Sequence, residues 1–205
     1  GCDARGGCRR GGLRRGFRCG RPRFAAARVR DQAQHAQLHD FSTYVASQQR
    51  DRPSTDPELH LALAPVLYPL AEGRWAVAVT QHESESYSGG GASYVTADFV
   101  PLDTPPGQRA KAARESIPYW CSRSIRACFS EKEYKTSKHC HDESRGSLRI
   151  AYDAPAKAGG PYVWRYTWLQ SEWPAHTGPA GNKRTSVDFT DDSAQKPTAC
   201  DGGLQ

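Results

Sequence analysis

Over much of its length the chain alternates apolar and polar positions with the period of two that marks a half-buried strand. Leu59, Leu61 and Leu63 alternate with His60, Ala62 and Ala64; after the turn residues Ala71-Glu72-Gly73, Trp75, Val77 and Val79 alternate with Ala76, Ala78 and Thr80. That is a hairpin signature. The second strand runs on through His82 to Tyr87 and meets a second turn at Ser88-Gly89-Gly90-Gly91. It returns over Tyr94 to Val100, so two hairpins share a strand and a meander is predicted. Further strands are predicted over Ser147–Tyr152, Tyr162–Leu169 and Thr185–Phe189, with Gly159-Gly160-Pro161 turning between the first two.

Helix signals are sparse. Phe41, Tyr44 and Val45 stand at helical spacing, and Arg52-Pro53-Ser54-Thr55-Asp56-Pro57 breaks whatever precedes it. Gln108–Glu115, rich in Ala, Arg and Lys and followed by Pro118, is the strongest helix candidate. Residues 119–146 hold three cysteines among many charges and read as an irregular excursion held by covalent links. The fold class predicted is mainly β (α+β): an antiparallel meander or sandwich with one or two short helices and a disulfide-stapled irregular excursion.

Length and charge refine this picture. A chain of 205 residues with 37% hydrophobic content suits one domain with an appendage. Its net charge of +6 is misleading as a whole, because residues 1–30 hold ten Arg and one acid while residues 31–205 hold 18 basic and 21 acidic side chains. The folded part is thus mildly acidic, which argues against nucleic acid as its partner. Residues 1–35 are expected to be a disordered or misread Gly/Arg-rich leader, and residues 36–205 a single β-rich exported domain. In GC-rich DNA a one-base slip interconverts Gly, Arg and Ala codons, so a Gly/Arg run is what an Ala-rich signal peptide becomes when misread. Translated as written, Arg5-Gly6-Gly7 and Arg10-Gly11-Gly12 form an arm suited to nucleic-acid phosphates, with Phe17 and Phe24 for stacking. No run of about eighteen apolar residues spans a membrane.

Four cysteines follow the leader: Cys121, Cys128, Cys140 and Cys200. An even number in an exported chain reads as two disulfides; three pairings are open to the sequence, of which Cys121–Cys128 with Cys140–Cys200 is preferred because Cys121–Cys128 closes a short loop. His139-Cys140-His141 offers zinc-ligand types, but the six residues between Cys121 and Cys128 exceed the usual spacing, so no metal is expected. No cofactor is expected either.

Tyr162, Trp164, Tyr166 and Trp168 fall at every second position and are expected to form the core face of a strand, with Arg165 and Thr167 outward. Trp173, followed by Pro174, is then the exposed aromatic contact. Tyr87, His82, Glu83 and Glu85 cluster near the glycine turn as a candidate partner-binding edge, and Glu83 and Glu85 as a carboxylate pair for hydrolysis. Asp188, Asp191 and Asp192 lack the spacing of an EF-hand calcium loop. Tyr87-Ser88-Gly89-Gly90-Gly91-Ala92 resembles the Tyr-x-Gly-Gly-Ala-His turn of some extracytoplasmic lysozyme-binding domains; Ser93 stands where that His would be, and no residue role is carried over.

No G-x-S-x-G elbow, P-loop, Rossmann glycine fingerprint or H-E-x-x-H is present. The sequence is therefore read as a secreted or periplasmic non-enzymatic binding protein, of inhibitor or immunity type, whose partner is another protein or a cell-envelope glycan. A carboxylate-based secreted hydrolase and a nucleic-acid binder acting through the leader are the alternatives.

Overall fold

Arg74–Tyr87 shows why this chain makes a sheet covered on both sides. Its even-numbered Ala76 and Ala78 join one buried cluster, while its odd-numbered Val77 and Val79 join another. Both faces of the strand are therefore apolar, and the run from 76 to 81 is buried without interruption. In the computed structural model, residues 27–30, 36–39, 41, 44–50, 60–105, 108–191, 197 and 200 are described. Most of the Gly/Arg-rich leader, the 52–57 breaker and Asp192 lie outside them.

A short hairpin pairs β1 (Ala27–Arg30) with β2 (Ala36–His39), and α1 (Ser47–Arg50) follows. Then come β3 (His60–Ala71), β4 (Arg74–Tyr87), β5 (Gly90–Pro101), β6 (Arg114–Arg126), α2 (Glu131–Thr136), β7 (His141–Asp153), β8 (Val163–Trp173), a 3-10 turn (Pro179–Gly181) and β9 (Lys183–Phe189). Strands β3 to β9 form one seven-stranded antiparallel sheet in sequence order, so the predicted meander is what forms. Gly73 and Gly89 supply the positive φ values of 69° and 99° that the β3–β4 and β4–β5 turns require.

The sheet curls until its first strand meets its sixth. Ala71 bridges Pro161, the Tyr162 N–H donates to the Leu70 carbonyl at 2.9 Å, and the Trp164 Nε1–H donates to the Pro69 carbonyl at 2.9 Å. Inside lies the larger cluster, with Trp164, Tyr166 and Trp168 at most 2% exposed, as their alternation predicted. Trp164 packs edge-on against Phe99, with centroids 4.9 Å apart, and Tyr166 stacks on Phe189 at 4.9 Å. Each such pair adds about 0.5–1.5 kcal/mol beyond the area it buries. Burial pushes the Tyr166 phenol well above its ordinary pKa, and Asp191, accepting its proton at 2.7 Å, pushes it further.

Three expectations are corrected. The cysteines pair as Cys121–Cys200 and Cys128–Cys140. Strands β6 and β7 end their ladder at Arg126↔His141, which brings Cys128 and Cys140 to a Cα separation of 5.1 Å. Cys121 instead points into the aromatic cluster, where Cys200 reaches it. Second, residues 119–146 are mostly two paired strands, and only the α2 turn region interrupts them. Third, Gln108–Glu115 forms no helix: the Ala113 N–H donates to the Phe99 carbonyl at 2.8 Å and β6 begins at Arg114. Pairing along β5 outweighs helix propensity, a preference of only tenths of a kcal/mol per residue.

The smaller cluster lies under Phe41 and residues 44–48. Phe41, Tyr44 and Ala46 cover Val77, Val79 and Val100. Beneath them Asp98, 0% exposed, accepts from the Tyr44 hydroxyl (2.7 Å), the Ser47 N–H (2.7 Å), the Ser47 hydroxyl (2.6 Å) and the Ser116 N–H (2.8 Å). Gln81, also 0% exposed, accepts from the Gln48 N–H and donates to Ser47 Oγ. A buried carboxylate is tolerable only when its lone pairs are filled this fully.

Candidate functional site

Antiparallel register aligns side chains across strands, and every second residue shares a face, so the pairings alone define a surface. Three adjacent rows cross β4 to β8: His82–Val95–Trp120–Ser147–Leu169, Ser84–Ser93–Ser122–Arg145–Ser171 and Ser86–Gly91–Ser124–Glu143–Trp173. The first row is mainly apolar. The next two carry serine hydroxyls on β4 to β6, except at Gly91, and charges on β7.

Two open depressions lie along this surface. One, of about 550 Å³, is lined by Ala62, Ala64, Pro65, Thr80, His82, Val95, Tyr119, Trp120, Ser147 and Leu148. Trp120 forms part of its wall and remains 39% exposed. The other, of about 410 Å³, is lined by Ser84, Ser86, Ser93, Ser122 and Ser124, with Glu85, Arg123, Glu143 and Arg145 among its remaining residues. Ser84 and Ser93 share a hydrogen bond of 3.2 Å, and Arg145 reaches Glu143 at 3.4 Å.

His82 joins the sheet to the apolar depression. Thr80 donates its single hydroxyl proton to the Ala62 carbonyl at 3.2 Å, so at 3.0 Å from His82 Nε2 it accepts. Nε2 therefore carries a proton and donates it to Thr80 Oγ1. Burial lowers the imidazole's pKa below 6.5, and the cross-strand His60 lowers it further.

The other residues singled out from the sequence take up different positions. Glu85 borders the polar depression, whereas Glu83, two residues away along β4, does not. Tyr87, 44% exposed, ends β4, and a side chain on Gly90 would strike its ring. Trp173 is half-buried, with its indole stacked on the His139 ring at 3.8 Å and 3°. Asp188 accepts from Thr167, and Asp191 is engaged by Tyr166 and Arg114. Among the described residues no group of three or more His, Cys, Asp or Glu is placed to hold a metal ion.

Trp120, Tyr119 and the serine rows were not anticipated. A signal existed in Ser84-Glu85-Ser86 and Ser122-Arg123-Ser124, where serine recurs at the strand period. Two disulfides, with no helix among the described residues long and apolar enough to cross a membrane, are consistent with an extracellular location. No protein-family model, curated protein or solved structure matches the chain.

Proposed function

We propose that this chain is a secreted or periplasmic, non-enzymatic binding protein of inhibitor or immunity type that takes a protein partner on the His82–Trp120–serine face. The carrying observation is the apolar depression lying beside the serine-lined one on a single sheet surface. An apolar recess walled by Trp120 suits a partner's anchor side chain, and the surrounding hydroxyls and charges suit the polar rim of such an interface.

A hydrolytic role for the carboxylates gains less support. Glu85 and Glu143, which both border the polar depression, sit on β4 and β7 with two strands between them. At about 4.8 Å per strand their backbones are roughly 14 Å apart, wide for a carboxylate pair that must flank one bond. Nucleic-acid binding rests on the leader alone, since the remainder of the chain has an acidic excess.

A photo-reactive side chain at position 122, in the groove, tests the proposal against one at the exposed position 156. Exposed to an extracytoplasmic fraction, the first is expected to cross-link one protein that the second does not, and Trp120→Ala is expected to abolish that product. Titration with soluble envelope glycan fragments, followed by tryptophan fluorescence, is the companion arm. A response to glycan alone changes the partner class; cleavage of that glycan, lost in Glu85→Gln, makes the chain a hydrolase. Silence in both arms sinks the reading.

A further inference from the structure

The loop between β6 and β7 is held in shape, and although His139 near its base stacks on Trp173, its helix covers nothing. Cys128–Cys140 closes its base, and α2 within it begins with a capping box. In that box Glu133 accepts from the Phe129 and Ser130 N–H groups at 2.8 Å each, which holds its carboxyl below the ordinary range. No residue of α2 is buried. On this fixed framework Phe129 is 71% exposed and Tyr134 52%, the two most exposed aromatic side chains among the described residues. The Arg126 guanidinium lies 5.1 Å from the Phe129 ring centroid.

The charge around these rings is one-sided once internal pairs are set aside. Glu131 is paired with Lys135, and Glu133 stays anionic but turns its carboxylate to the cap donors. Lys132 and Lys138 form no ion pair among the described residues, and Arg126 only overlies the ring. The outward charge is therefore cationic. No residue of the loop lines either depression, so this surface is separate from the proposed partner face.

We propose that the Cys128–Cys140 loop is a peripheral contact with an anionic lipid bilayer, in which Phe129 and Tyr134 enter the headgroup boundary while Arg126, Lys132 and Lys138 meet lipid phosphates. Aromatic rings and lysine stems suit that boundary, where one end of a side chain is apolar and the other wet. A protein partner would be expected to bury roughly 800 Å² on this side, more than two prominent rings and a six-residue helix readily supply. A fluid lipid surface needs no matching pocket.

The test is co-sedimentation of the full chain with large unilamellar vesicles of phosphatidylglycerol and phosphatidylcholine in equal parts, against phosphatidylcholine alone. The leader's arginines also adsorb to anionic lipid, so variants are compared within the same chain at low and raised salt. Phe129→Ser is expected to weaken partitioning to the mixed vesicles roughly tenfold, from loss of one buried aromatic side chain. Lys132→Gln and Lys138→Gln are each expected to weaken it roughly fivefold at low salt. Raised salt should shrink the lysine effects and leave the Phe129 effect. Thermal melts of all three variants should match the wild type, because the loop buries none of these side chains in the core. Equal partitioning of wild type and Phe129→Ser at both salts would overturn the proposal and assign adsorption to the leader. No binding of any form to the mixed vesicles would overturn it too, leaving a protein as the loop's partner.

Discussion

The two disulfides place the same bond in opposite settings. Cys121–Cys200 joins residues 79 apart, and both cysteines are 0% exposed within the aromatic cluster. Cys128–Cys140 joins residues 12 apart at the base of a loop whose helix buries nothing. The first fastens Cys200 onto the interior of the sheet. The second shapes a protrusion, so its loss should change what the surface presents more than whether the sheet forms.

Loop-closure entropy separates the two in magnitude. Replacing Cys121 and Cys200 together by Ala is expected to cost about 4.5 kcal/mol, read from urea unfolding. Trp168→Ala strikes the same interior without touching a covalent bond and is expected to cost about 4 kcal/mol by leaving a cavity. A melt unchanged from wild type would remove Trp168 from the core. Replacing Cys128 and Cys140 by Ala is expected to cost about 3 kcal/mol or less, with far-ultraviolet circular dichroism of the sheet retained. A larger loss there than for Cys121 and Cys200 would erase the contrast.

The smallest effect belongs to His82. Its folded pKa lies below its unfolded value, so its contribution to stability is complete above the unfolded value and is lost as pH falls through 6.5 toward the folded one. Melting temperature should therefore fall with acidification across that window, and His82→Gln should flatten this part of the profile. An identical slope in the variant would assign the dependence to other groups.

How far the sequence carried depended on what filled the interior at each place. Strands β3 to β5 and β8 were legible because large apolar or aromatic residues mark their buried positions. Strand β6 and the first half of β7, His141 to Gly146, were not, although the second half of β7 was predicted over Ser147–Tyr152. At Cys121 and Gly146 the interior is occupied by Trp168 reaching across from β8: a Cβ on Gly146 would lie 2.1 Å from the Trp168 ring and 2.7 Å from Cys121 Sγ. Small residues on the inner face and serines with charges on the outer one erase the alternation that identifies a strand. The candidate face was missed for the same reason, since its serines become a surface only when β4, β5 and β6 are side by side. His82 and Glu85 could be singled out from the sequence because they stand on a strand that was legible.

The hydrogen bonds gathered on Asp98 set an order of events. Tyr44 and Ser47 lie 54 and 51 residues before Asp98, and the Ser116–Ser47 contact spans 69. A segment that leaves the ribosome early can therefore dock only after β4, β5 and the start of β6 have been made and paired. Until then the Asp98 carboxylate must stay in water, and one side of β4 and β5 stays uncovered. During synthesis Phe41 and residues 44–48 can thus close over that carboxylate only once the chain has been made through Ser116.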